Sequence, residues 1–392
     1  MQLNPEELSA IDVETEPTVK TEMPYALEPW RVKQGKARIS CATIDGIMND
    51  TIEVKDGDVG KRLADTLNQM EDKYVICHNA LFDVAWMLAE ITKHVGDFEI
   101  AYSIINKVHW LDSSLLSKWL ENGQKAEDKA NYMSHALIAV CNRHIPDHPR
   151  MDEFNDVKFQ TVKPGQDYDY WLKRNKLDTE LTLEVFKVMW NKLPEPMRIG
   201  FLIEQKTIAP ISKGWLHGIP FDDTFATELH KKLESHKIRL CKEIGVTVAC
   251  LSSPKQKQKL IFQDWGIVPL KLTPSGAPST AHDVLVRIHQ KTQDPKFDKL
   301  MAAIKLSTIQ SKYTNGFART RASVGEPTLY GSPRIFGTYT GRMTYKNKTT
   351  KKQEHQCSIA LHQVPRKAKS IKHCMKIPEG YALLAIDANS QE

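Results

Sequence analysis

At 392 residues, with 41% hydrophobic and 8% aromatic residues, the chain carries apolar mass for two or three cores, because one core rarely outgrows roughly 250–300 residues; a disordered tail is excluded. The net charge of +6 excludes little by itself. No run reaches the ~18 apolar residues of a membrane span, and the acidic N-terminus lacks the layout of a secretion signal. A cytoplasmic location with no membrane partner is therefore expected. Seven cysteines, an odd number without a CxxC pair, argue for reduced thiols over disulfides or a zinc ribbon.

Along the chain, Ala10–Glu14, Ala37–Ile44, Thr51–Val54 and Tyr74–Cys77 read as strands. Helical periodicity marks Leu81–Ile91, Tyr132–Cys141 and Tyr170–Trp190, the last with Trp171, Leu177, Leu181 and Val185 on its apolar face. This alternation predicts an α/β domain with a mixed sheet. Pro194 and Pro196 break the last helix and set a boundary, giving a first domain over 1–195. Residues 196–330 read as mostly helical. A third region, 331–392, ends in Gly380–Asp387, a nearly continuous apolar run that predicts a buried strand. Between Arg334 and Lys376 the basic residues are opposed by Glu354 alone, a composition suited to a polyphosphate backbone or to a solvated loop.

The acids of the first domain form a pattern. Asp12 and Glu14 are two apart on a predicted strand, so they share a face. Acids at the end of an apolar strand are costly to bury unless paired or bound to a cation; on an edge strand they would simply face solvent. In His78-Asn79-Ala80-Leu81-Phe82-Asp83 the aspartate falls on the first turn of an apolar helix, where an acid also suits the helix dipole. Asp178 sits within the long helix; Glu180 and Glu184 read as solvated partners for lysines. Asp112 reads as a helix cap.

In this order, DxE, then NxxxFD, then an Asp within a Thr-containing amphipathic helix resemble the three exonuclease motifs of the DnaQ-like proofreading family. The resemblance implies an RNase H-like mixed-sheet 3′→5′ exonuclease domain. Asp12, Glu14, Asp83 and Asp178 would be its catalytic metal ligands, and Asn79 and Phe82 would contact the single-stranded 3′ end of DNA. Phosphodiester hydrolysis by two hard cations about 4 Å apart needs several oxygen ligands, which accounts for four carboxylates and implies two Mg2+ per site, with Mn2+ able to substitute. The family usually has a tyrosine one helical turn before the last Asp; here that position is Arg174, with Tyr170 a further turn back.

The rest of the chain resembles family A DNA polymerases, most closely the phage type. Trp215–Asp222 and the Leu272–Thr280 segment are similar to that family's thumb, assigned to 196–330. Residues 331–392 look like the start of the palm: Thr340-Gly341-Arg342 resembles the TGR element, and Gln363-Val364-Pro365-Arg366 the Gln-x-Pro element. Residues Pro378–Glu392 resemble motif A, with a Ser-Gln-Glu ending like that of mitochondrial polymerase gamma. The resemblance implies DNA contacts at Arg342, Gln363 and Arg366, a catalytic metal ligand at Asp387, and a gate against the ribose 2′-hydroxyl at Glu392.

Neither the Arg-x3-Lys…Tyr-Gly helix nor the His-Asp-Glu turn of that family occurs in the 392 residues. The sequence reading therefore expects the N-terminal subunit or fragment of a replicative polymerase, from a split or truncated gene. It would proofread and bind primer–template, and would polymerise only with a C-terminal polypeptide supplying fingers and the remaining palm. The alternatives are a stand-alone DnaQ-like nuclease and a catalytically weak DNA-binding scaffold for the polymerase half.

Overall fold

The computed structural model describes residues 3–4, 7–18, 28–121, 133–156, 167–338, 340–346, 364, 368–382 and 384. They fall into two compact units, one built on Met1–Gly218 with the chain that returns at Tyr330, the other on Ile219–Leu329 with the stretch from Gln363.

The first unit is organised by five strands: β1 (Leu8–Pro17), β2 (Ala37–Gly46), β3 (Asp50–Glu53), β4 (Tyr74–Cys77) and β5 (His109–Asp112), in the spatial order β3-β2-β1-β4-β5. β1, β2 and β3 pair antiparallel, whereas β1, β4 and β5 pair parallel. The mixed sheet expected from sequence is thus present, with a fifth strand, His109–Asp112, beyond the four expected. On β1, Ile11 and Val13 are fully or nearly fully buried, while Asp12 and Glu14 alternate with them on the opposite, half-buried face. A register shift between Glu14 and Thr15 bends the strand just past these acids.

Parallel strands require crossovers, and helices supply them. α1 (Val59–Gln69) leads from β3 to β4, and α2 (Ala80–Val95) with α3 (Phe98–Ile105) leads from β4 to β5. Asn79 turns the chain from β4 into α2 at φ 72, a left-handed conformation that asparagine tolerates better than most residues. Then follow α4 (Ser113–Glu121), α5 (Leu137–His144), α6 (Met151–Asn155), α7 (Tyr168–Lys192), α8 (Glu195–Gln205) and α9 (Ile208–His217). α7 lies across β1 and β2, where the Thr43 hydroxyl donates to the Asn175 carbonyl at 3.1 Å.

Pro194 and Pro196 do end α7, but Pro196 also sits in the first turn of α8, where its missing N–H costs nothing. α8 and α9 stay with the first unit. Gln205 Oε1 accepts from the Asp112 amide at 2.8 Å, and the Ser212 hydroxyl reaches the Leu81 carbonyl at 3.4 Å. The division therefore falls after Gly218, beyond the 195/196 boundary that the prolines suggested. The returning chain adds a hairpin of Ser332–Arg334 with Thr344–Lys346, and Tyr330 stacks on Trp30 at 4.8 Å.

In the second unit, β6 (Ile219–Pro220) pairs with β7 (Thr328–Leu329), and between them run α10 (Asp223–Glu243), α11 (Val248–Ser252), α12 (Pro254–Gln258), α13 (His282–Thr292), α14 (Pro295–Ile309) and α15 (Asn315–Val324). Leu240, Ile261, Leu285, Ile288, Phe297 and Leu300 are among its core residues. α10 begins at Asp222, whose carboxylate caps it by accepting from the Phe225 amide at 2.8 Å. Lys237 is buried only because Glu234 and Gln310 both accept from its ammonium at 2.7 Å.

Of the apolar run at 380–387, Leu383 and residues 385–387 lie outside the described residues; Tyr381 and Leu384 are 76% and 79% exposed and lie in no strand. An apolar run becomes a buried strand only where a neighbour pairs with it, and none of the described residues does. Among the described residues, no helix is long and apolar enough to cross a membrane.

Candidate metal centre

Carboxylate oxygens of Asp12, Glu14 and Asp178 lie within 4.8 Å of one another. β1 supplies the first two, two residues apart on one face, and the buried side of α7 supplies the third. Asp83, on the first turn of α2, stands beside the cluster: it is buried, and its Oδ1 accepts from the Val13 amide at 3.3 Å. Asn175, completely buried, donates through Nδ2 to Asp12 Oδ2 at 2.6 Å and to the Asp12 carbonyl at 3.1 Å. A carbonyl only accepts, so this second bond fixes which way the amide faces.

The charges of this cluster are poorly compensated. Burial first, then the Asp178 charge, pushes the Asp12 carboxyl up to about 8, against the Asn175 hydrogen bond and Arg174. Glu14 is held well above the usual range by burial and then by Asp12 and Asp178. Asp83 is raised by burial and then by Asp12. Burial lifts Asp178 to about 6, with Arg174 opposing. Arg174 Nε is 3.4 Å from Asp178 Oδ2, and its guanidinium lies over the Trp171 ring at 5.5 Å. One cation thus faces several acids. An all-oxygen, strongly anionic donor set of this kind suits hard divalent cations such as Mg2+ or Mn2+ better than zinc or copper.

Asn79 is exposed at the turn into α2, and Phe82, half-buried, lies 5.9 Å from Trp86. Arg342 is exposed in a tight turn whose Gly337 amide donates to its carbonyl at 2.8 Å. Gln363, Arg366, Asp387 and Glu392 lie outside the described residues. Tyr170 finds its charged neighbours in Asp156, Lys173, Glu153 and Asp167, a different set from the clustered carboxylates. No motif marks Asn175 in the sequence, although its place one turn before Asp178 puts both on one helix face.

Asp112 is the cap that its position suggested, and it serves two helices. Its oxygens accept from the amides of Asn79 and Ala80 at the start of α2, both at 3.0 Å, and of Ser114 and Leu115 in α4 at 2.8 and 3.2 Å. Asp112→Ala strands four amides in a buried corner, so it should destabilise the protein by about 3 kcal/mol in urea unfolding. A loss below about 1 kcal/mol would show that water replaces the carboxylate.

Comparison with known proteins bears on the whole chain. Residues 222–392 match the model of DNA polymerase family A. DNA polymerase I of Pseudomonas aeruginosa is 24% identical over 223 residues, covering 55% of this chain and 23% of that protein. The POL domain of Pol1 from M. smegmatis, solved in complex with DNA primer-template and dNTP, superposes with a TM-score of 0.60 at 16% identity, covering 95% of this chain and 55% of that one. The chain spans less than two thirds of either relative, and the structural likeness is one of fold. The class defined is that of a DNA polymerase architecture. Over residues 222–392 the chain is similar to the family A DNA polymerases.

Proposed function

We propose that the first unit is a metal-dependent 3′→5′ exonuclease acting on DNA, in a replicative family A polymerase whose second unit and following chain engage primer–template. The observation that carries this reading is the convergence of the Asp12, Glu14 and Asp178 carboxylates within 4.8 Å on a half-buried strand and a covering helix. The strand order β3-β2-β1-β4-β5, with the acids on the central strand, supports an RNase H-like exonuclease fold.

Two bound Mg2+ or Mn2+ would neutralise charge at the scissile phosphate and activate the attacking water. The chain's own part is to hold those ions through Asp12, Glu14 and Asp178, with Asp83 beside them. Asn175 keeps Asp12 in one rotamer. Asn79 and Phe82, at the start of the helix that carries Asp83, would orient the terminal nucleotide. In the polymerase part, Asp387 is assigned a metal, Glu392 the sugar gate, and Arg342, Gln363 and Arg366 the primer–template strands. Nucleotidyl transfer also needs a second palm carboxylate and a cationic helix at the triphosphate, which further polypeptide would supply, in the same protein or a partner.

The test is release of 3′-terminal nucleotides from labelled single-stranded DNA and from a mispaired primer end. The activity should require Mg2+ and prefer DNA to RNA. A second reading, a DNA-binding scaffold with feeble hydrolysis, is favoured by Arg174, which already occupies an Asp178 oxygen. Arg174→Tyr decides between them. It frees Asp178 and offers a hydroxyl toward the attacking water, so cleavage should rise about tenfold. Unchanged, negligible cleavage in both proteins would favour the scaffold.

A further inference from the structure

Beside the start of α2 is a cavity of about 480 Å³ whose walls include His78, Asn79, Asp112, Lys118, His135 and Arg334, all within the first unit. Two helix N-termini meet there, but Asp112 already accepts from the amides of Asn79, Ala80, Ser114 and Leu115, so neither terminus is left to bind a ligand. The two histidines are uncharged at neutral pH: burial holds His78 below its usual range and takes His135 to about 4. What remains is Lys118 and Arg334. Burial depresses both, and the nearby Arg334 charge depresses Lys118 further. Asp112 opposes that shift more strongly than Arg334 adds to it, and Glu204, which also accepts from the Trp119 indole N–H at 2.6 Å, opposes it as well. Among the described residues neither Lys118 nor Arg334 forms an ion pair.

Lys118 and Arg334 thus line one cavity with no ion pair among the described residues, a cationic wall whose donors an entering anion can use. A phosphodiester matches it, with one negative charge and several acceptor oxygens. The cavity is also in the right place, because Asn79 on its wall precedes Asp83 by about one helical turn.

We propose that Lys118 and Arg334 form a subsite for a backbone phosphate of the single strand whose 3′ end reaches the clustered carboxylates, which rests on the exonuclease reading above. Asn79, on the same wall, offers its exposed amide to the same strand.

Anisotropy titration of a short labelled oligothymidylate, in Ca2+ so that nothing turns over, tests this with Lys118→Gln, Arg334→Gln and Arg334→Lys, each checked for an unchanged melting temperature. Arg334 is exposed, so its variants remain informative if Lys118→Gln fails to fold. Each glutamine variant should weaken strand binding about tenfold. Each should also flatten the slope of log K against log salt by about 0.7, whereas Arg334→Lys keeps the slope. In Mg2+, hydrolysis of the p-nitrophenyl ester of thymidine 5′-monophosphate, which has no upstream phosphate, should be unaffected, while KM for the oligonucleotide rises. Unchanged affinity and slope in both glutamine variants overturn the subsite. So does displacement of the strand by inorganic phosphate at equal concentration, which would make the cavity a site for free phosphate. Variant-sensitive binding by a wild-type protein that cleaves neither substrate would sink the exonuclease reading and leave the phosphate subsite standing.

Discussion

Asp12→Asn should abolish release of 3′-terminal nucleotides, by at least about a thousandfold, because it removes a carboxylate that faces two others and through which a hard cation would be held. The same substitution should make the metal-free protein more stable at about pH 8, by about 2 kcal/mol after allowance for solvent screening and coupling among the acids. The two effects have one cause. The folded protein holds Asp12 against burial and against Asp178, which pushes its carboxyl up to about 8, and a neutral amide removes that cost while still accepting from Asn175. An ordinary core position would show destabilisation with lost activity. A nuclease rate near wild type would refute the site, and a less stable metal-free protein would refute the electrostatic account of it.

The second large effect is a stability that depends on pH and divalent cation together. Asp12 and Asp178 titrate near 8 and 6 in the folded protein, against 3.8 when free. Between those values the folded chain holds protons that the unfolded chain has released, so metal-free stability is complete below about pH 4 and declines as pH rises toward about 8. A divalent cation binds the deprotonated cluster, so its contribution runs the other way and grows with pH. At a concentration 100 times its dissociation constant it would add about 2.7 kcal/mol. Melting curves in EDTA and in MgCl2, from about pH 5 to about pH 9, should therefore diverge with rising pH, and should converge in Asp12→Asn. A Mg2+-induced shift that ignores pH would place the ion elsewhere.

Individual residues show how far the sequence could be read. Period-two alternation on β1 was enough to put Asp12 and Glu14 on one face, and it did so because strand geometry is local. The position of Asp112, just before an apolar helix, was enough to suggest a cap, though nothing local said that it would cap α2 as well. Asn175 was within reach of the same reasoning, since it shares a helix face with Asp178. Its role was hidden because hydrogen-bond partners 163 residues away in the chain leave no periodic signal. The prolines at 194 and 196 marked the end of a helix correctly but misplaced the division, because a helix break does not decide which core the next helix joins. Apolar composition suggests a buried strand at 380–387, but composition does not supply a pairing partner, and the described Tyr381 and Leu384 are exposed.

By itself, then, the sequence determined the alternation of strands and helices in the first unit, the helical character of the second, the likeness to family A polymerases, and which acids were costly enough to need an explanation. Only the tertiary structure decided that three of those acids meet while Asp83 turns to the Val13 amide, that Arg174 pairs with Asp178, and that Lys118 and Arg334 share a cavity. The physical reason is one of range. Propensity and periodicity act over a few residues, whereas a charge's cost depends on whichever distant groups the fold packs around it.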